Sequence, residues 1–264
     1  MSRIIINADD FGKSPSRNRA INDAFEMGLI SSAGLIVTGK YLQDAIRYVD
    51  AGDYFEKVHL HFNLSANLLH EGSDDAPISE TMKKDSFFCK DDKFIMYNGL
   101  PHQLSDILKW KVVYEELEAQ YKRFIDVTKG KGDLRHVDFH MWYNLTWPVS
   151  LALNLFTRKY HVKSVRYMGK HQEKSLRYKV YRLVSWNPCV KYIPATNIDY
   201  YLSNEHIFEK YPLVELYCHP NYKENVFLDD SPSYLKHDRQ PMQKQIQMLK
   251  EKRSIDLVSW DEIY

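Results

Sequence analysis

A chain of 264 residues with 44% hydrophobic content holds enough apolar material for one large α/β domain or two small ones. Its 36 Lys and Arg stand against 35 Asp and Glu, so no long-range charge argues for nucleic acid or an anionic membrane as partner, and small neutral ligands stay open. Cys89, Cys189 and Cys218 are odd in number and lack CxxC spacing, which disfavours a zinc cluster and a disulfide framework; with no secretory leader and no apolar run long enough to cross a bilayer, a cytoplasmic, reduced protein is expected.

The first element is the stretch Ile4 to Gly12, IIINADDFG. Its apolar run reads as a buried strand that delivers Asp9 and Asp10 into a turn. Two adjacent carboxylates repel, and a nearby metal cation would explain the pair; a plain turn that caps the next helix is the competing explanation. Ser14 and Pro15 mark a helix start. A strand over Gly34–Thr38 and a helix from about Tyr41 to Asp50 follow. The next strand, Lys57 to Ser65, places Val58, Leu60 and Phe62 on one face and His59, His61 and Asn63 on the other.

Residues 66–101 carry no sustained period and read as a long insertion or lid with a small hairpin around Phe87 to Tyr97. From His102 to Lys129, residues recurring at three- and four-residue steps predict a helix stopped by Gly130 and Gly132. A strand over Leu134–His140 and a helix over Trp147–Thr157 come next. Then follow a strand over Val162–Tyr167, a helical stretch over Leu176–Ser185 and a short strand over Val190–Ile193. The chain closes with a helix over Asn204–Lys210, a strand over Leu213–Pro220, a helix over Gln240–Lys252 and a last strand, Ile255–Trp260.

Strands alternating with helices indicate a parallel α/β sheet. Asp9, Asp10, His61, His140, Arg166 and His219 all fall at C-terminal strand ends, which converge on one mouth only if the sheet closes. The expected fold is therefore a single (β/α) barrel domain, TIM-like but distorted or incomplete, with seven to eight strands. Asp10, His61 and His140 would offer one carboxylate and two imidazoles to a divalent metal and leave a position for water, as catalytic sites do. His136 rivals His140, and His61 has an alternative as a hydrogen-bonded core histidine. Arg166 has an alternative as a surface ion pair. Glu215 reads as a local pairing or capping residue, and Trp142 as a candidate sugar platform beside core aromatics.

Taken in order, NADDFG, HFNLS, HVDFH, VRYMGK and ELYCHP resemble the carbohydrate deacetylases of the YdjC type. The helix EELEAQYKRF and the closing RQPMQKQIQMLKEKRSIDLVSW extend the resemblance over most of the chain. The resemblance implies that Asp10, His61 and His140 hold one divalent metal, that Asp9 is the general base and that His219 is the general acid. It implies that Arg166 binds substrate oxygen or orients Asp9. Zinc suits the two histidines and the aspartate best, with Mg²⁺, Mn²⁺ and Co²⁺ as alternatives. The implied reaction is removal of an acetyl group from an N-acetylated sugar or short glycan. An O-acetyl or phosphate esterase and a non-catalytic sugar-binding relative are the alternatives. A homodimer is implied by resemblance alone. The chain departs from the family after His140, where Met141, Trp142, Tyr143 and Asn144 stand in place of further histidines, and after Pro220, where Asn221 replaces the usual glycine.

Overall fold

The computed structural model describes residues 3–66, 75–95, 104–140, 146–167, 183, 186–230, 241–252 and 256–264. β1 (Arg3–Phe11) is buried along nearly its whole length, as a strand covered on both faces must be. Ser14 caps α1 (Pro15–Glu26) by accepting from the Arg17 N–H, with Pro15 at the first position. β2 (Ser32–Leu35), α2 (Leu42–Gly52) and β3 (Val58–Phe62) follow. The expected excursion contains α3 (Glu80–Lys83) and an antiparallel hairpin of β4 (Cys89–Lys90) and β5 (Lys93–Phe94). Its stretches 67–74 and 96–103 lie outside the described residues. The long predicted helix is a 3₁₀ segment, Leu104–Lys109, running into α4 (Trp110–Val127).

β6 (Asp133–Phe139), α5 (Trp147–Lys159), β7 (Ser164–Tyr167), β8 (Lys191–Asn197) and β9 (Leu213–Cys218) complete the wall. The parallel order β1-β2-β3-β6-β7-β8-β9 closes through β9 against β1, from Arg3↔Leu213 to Ala8↔Cys218. The result is a closed seven-stranded parallel barrel with helices outside it. The helical expectation over Leu176–Ser185 falls outside the described residues apart from Leu183, which is helical.

Three expectations need correction. The helix expected over Asn204–Lys210 is only the single turn Glu205–Phe208, and a further short helix that was not expected, Ile198–Ser203, precedes it. Asn197 caps the earlier one by accepting from the Tyr200 N–H, and Asn204 leaves helical geometry between them. The chain also does not end its pairing at Pro220. It continues as a hairpin of β10 (Pro220–Lys223) and β11 (Val226–Asp229). Glu224 and Asn225, at φ 49° and 65°, form the two-residue turn. The last strand shortens to β12 (Asp256–Leu257), after the helix Met242–Lys252.

β12 pairs with Arg3 and Ile4 at the start of β1, while β2 pairs with β1 only from Asn7 onward. β12 thus fills the gap at the bottom of the barrel where an eighth strand would stand. Beyond it Trp260, only 1% exposed, packs with Ile5, Ile193 and Val258 as a small core separate from the main one. Trp260 lies flat on His136, with ring centroids 3.8 Å apart and planes at 13°. The barrel bottom is therefore stoppered by an aromatic ring. Above this stopper the interior is polar rather than filled with branched apolar side chains.

Candidate metal centre

Successive residues of a strand point to opposite faces, so Asp9 and Asp10 cannot both face the barrel interior from a regular β1. The irregularity is explicit: the β1–β2 register shifts between Ala8 and Phe11, and Asp10 adopts φ 70°. This left-handed conformation, unfavourable for a residue with a Cβ, re-aims Asp10 to the mouth beside Asp9.

His61 is the penultimate residue of β3 and His140 follows β6, its N–H donating to the Phe62 carbonyl at 2.7 Å. Asp10 Oδ1 lies 2.7 Å from His140 Nδ1 and 3.6 Å from His61 Nε2. It is buried and makes no hydrogen bond of proper geometry with either. A buried carboxylate oxygen between two imidazole nitrogens fits a cation better than it fits either neighbour. One ligand atom from each of the three residues lies within 4.8 Å of the others. The group fits a divalent metal with nitrogen and oxygen ligands, and Asp10, His61 and His140 are the residues that would hold it.

Gly34 on β2 makes room for this arrangement. A Cβ there would stand 2.9 Å from the Cβ of His61 and 3.0 Å from its Nδ1. Asp138 fixes the His61 ring from behind, with Oδ1 2.6 Å from His61 Nδ1, leaving Nε2 to face Asp10. Sequence reasoning missed Asp138, although period two along HVDFH puts His136, Asp138 and His140 on one face. It missed Lys13 too, whose Nζ is 2.9 Å from His140 Nε2. A lysine one residue past the NADDFG stretch carried no signal of its own.

Arg166 is inside the barrel, not at the surface. Nη1 and Nη2 donate to the two oxygens of Asp9 at 2.6 Å each, and Nε donates to Glu215 Oε1 at 2.8 Å. The same guanidinium pairs with Asp138 Oδ2. This fork geometry fixes both oxygens of Asp9. Glu215, left out of the site by sequence reasoning, is fully buried in the same network. His219 approaches from the other side, Nε2 3.9 Å from Asp9 Oδ2, with its N–H donating to Asp229. Trp142 lies outside the described residues. His136 sits deeper, its Nδ1 2.9 Å from Ser164 Oγ, so His140 is the histidine at the mouth.

The electrostatics follow from these contacts. Burial alone would raise the Asp10 carboxyl, but the neighbouring His140 imidazole and the Lys13 ammonium hold it well below the usual range. Burial opposes the charge on His61, but Asp138 and Asp9 carry its pKa up to about 10. Burial, reinforced by the Lys13 ammonium, brings His140 down to about 4.

A closed parallel barrel with such a mouth defines an α/β-barrel protein carrying a candidate catalytic metal site at the C-terminal ends of its strands. The chain belongs to the YdjC-like protein family, whose model matches residues 3–258. Curated relatives include "Carbohydrate deacetylase 2" of Listeria innocua serovar 6a, 26% identical over 243 residues, 87% of this chain and 84% of that one. "Carbohydrate deacetylase" of Danio rerio is 31% identical over 140 residues, 53% of this chain and 40% of that one. A solved structure from Enterococcus faecalis V583, described provisionally as a cellobiose-phosphate cleavage protein, shares the fold. Its TM-score is 0.67 at 18% identity, over 99% of this chain and 98% of that one.

Proposed function

We propose that this chain is a metal-dependent hydrolase that removes an acetyl group from an N-acetylated sugar or short glycan. The observation that carries the reading is the gathering of Asp10, His61 and His140 beside the arginine-held Asp9, in a family whose curated relatives are named carbohydrate deacetylases. Zinc suits this donor set best. A bound divalent ion would lower the pKa of water toward about 7 and polarise the acetyl carbonyl.

Asp9, oriented by the Arg166 fork, accepts the proton of the attacking water. His219, across the mouth, donates a proton to the departing amine nitrogen, a step typically contributing about 10²- to 10⁴-fold. Asp138 holds the His61 ring in place. Trp142 is assigned the role of sugar platform, within a single domain. The test is acetate release from a panel of N-acetylated mono- and oligosaccharides, run on chelator-stripped and zinc-reloaded protein. Release that depends on zinc supports the reading; a zinc-loaded protein that releases no acetate from any member of the panel refutes it.

A further inference from the structure

Beneath the mouth the barrel holds a second gathering of polar groups that the proposed reaction does not use. His59 on β3 and His136 on β6 are both fully buried, with ring centroids 4.7 Å apart and planes at 80°. Each ring is fixed through Nδ1 by a serine: Ser32 Oγ at 3.1 Å from His59, Ser164 Oγ at 2.9 Å from His136. Their Nε2 atoms are left facing carboxylates. His59 Nε2 is 3.2 Å from Asp138 Oδ2, and His136 Nε2 is 3.7 Å from Glu215 Oε2. All four of these atoms are buried without a hydrogen bond of proper geometry. Asp138 Oδ2 is held by the Arg166 guanidinium, but leaving any of the other three unsatisfied costs about 1–3 kcal/mol, so three such atoms converging beside that carboxylate point to an occupant.

We propose that His59, His136 and Asp138, with Glu215 at their edge, form a second, inner site for a divalent transition metal of the zinc class. One ligand atom from each of the three lies within 4.8 Å of the others. Two imidazoles and a carboxylate select a borderline metal over Mg²⁺ or Ca²⁺, which prefer oxygen and retain water. The serine on each Nδ1 fixes the ring and leaves Nε2 free to face the site, the task that a hydrogen-bonding partner on the other ring nitrogen performs for metal-binding histidines. Charge favours a cation here as well. Asp9, Asp138 and Glu215 set three carboxylates against the guanidinium of Arg166 and the imidazole of His61, so the buried network still carries more negative than positive charge. Asp138 joins the two levels, with Oδ1 on His61 and Oδ2 on the inner site. Trp260 closes the chamber from below, so the inner ion is loaded as the chain folds.

The experiment uses the full chain, expressed with excess zinc and dialysed against metal-free buffer. Zinc is counted by elemental analysis and located by anomalous scattering in crystals of the wild-type chain. The expected result is about two zinc equivalents, falling to about one in His59→Gln and, separately, to about one in Asp10→Asn. An anomalous peak between His59 and His136 supports the proposal without relying on any variant to fold. Two results overturn it: zinc content unchanged by His59→Gln, or a peak between these rings with no anomalous signal, which identifies a water. Because Asp10→Asn and His59→Gln each report on one level, failure of the inner site and failure of the mouth are read separately, and neither count needs acetate release.

Discussion

An Asp9→Asn chain keeps the shape of the carboxylate and loses its basicity. Acetate release is expected to fall by about 10²- to 10⁴-fold while sugar binding, measured by calorimetry, persists. If release survives, Asp9 is not the base; if the wild-type chain only binds, it is a non-catalytic relative. Arg166 poses a stability question instead, because its guanidinium is shared by three buried carboxylates. Removing one partner of a buried charge network costs about 3–5 kcal/mol, so Arg166→Met is expected to lower unfolding free energy by that order in a urea titration. Metal binding has a pH sign of its own. In the metal-free chain His61 keeps its proton up to about pH 10, while His140, near 4, is already neutral. Coordination must expel the His61 proton, so zinc affinity is expected to rise about tenfold per pH unit from neutrality and to level off as pH nears the His61 value. A chelator-competition titration at several pH values checks this, and a flat profile counts against His61 as a ligand. Residue types at strand ends marked Asp9, Asp10, His61, His140, Arg166 and His219 as candidates, with His136 as a rival to His140, and the resemblance supplied their expected roles. Asp138 and Glu215 were passed over because lone acids in strands look like local pairing partners until their burial is known.

The bulge in β1 decides the site at the scale of the element. Alternation along a regular strand sends neighbouring side chains to opposite faces, so nothing in ADD by itself says that both acids reach one mouth. The shift between Ala8 and Phe11 and the left-handed Asp10 do that, and the cost of the strained backbone is met by the surrounding barrel. β2 contributes by what it lacks. Gly34→Ala would place a methyl 2.9 Å from the His61 Cβ, and zinc affinity is expected to drop by about 10- to 100-fold, the range seen when the support behind a metal ligand is disturbed. Competition titration alongside circular dichroism separates this from unfolding. The hairpin β10–β11 was not legible, because its turn residues Glu224 and Asn225 lie in a polar stretch whose period two is too short to stand out. Its place in the fold is secured by contacts remote in sequence, such as the Tyr222 hydroxyl donating to Asp23 on α1.

Closure of the whole barrel depends on the two ends of the chain meeting. β1 is held by β9 along one edge and by β12 and β2 in turn along the other, and Trp260 seals the bottom against His136. Trp260→Ala is expected to cost about 3–5 kcal/mol in urea unfolding, as loss of a buried aromatic does; a change under about 1 kcal/mol would mean that the stopper carries no weight. No helix among the described residues is long and apolar enough to cross a membrane. The alternation of strands and helices, the position of the polar residues at C-terminal strand ends and the five ordered motifs were all written in the sequence, because local pattern and residue type depend only on neighbours along the chain. Three things depended on tertiary structure: that the sheet closes at seven strands with β12 filling the gap, that Arg166 turns inward to three carboxylates, and that His59 and His136 meet above Trp260. Each of these joins residues far apart in the chain, and their distances are set by strand register and barrel closure, which no local pattern encodes.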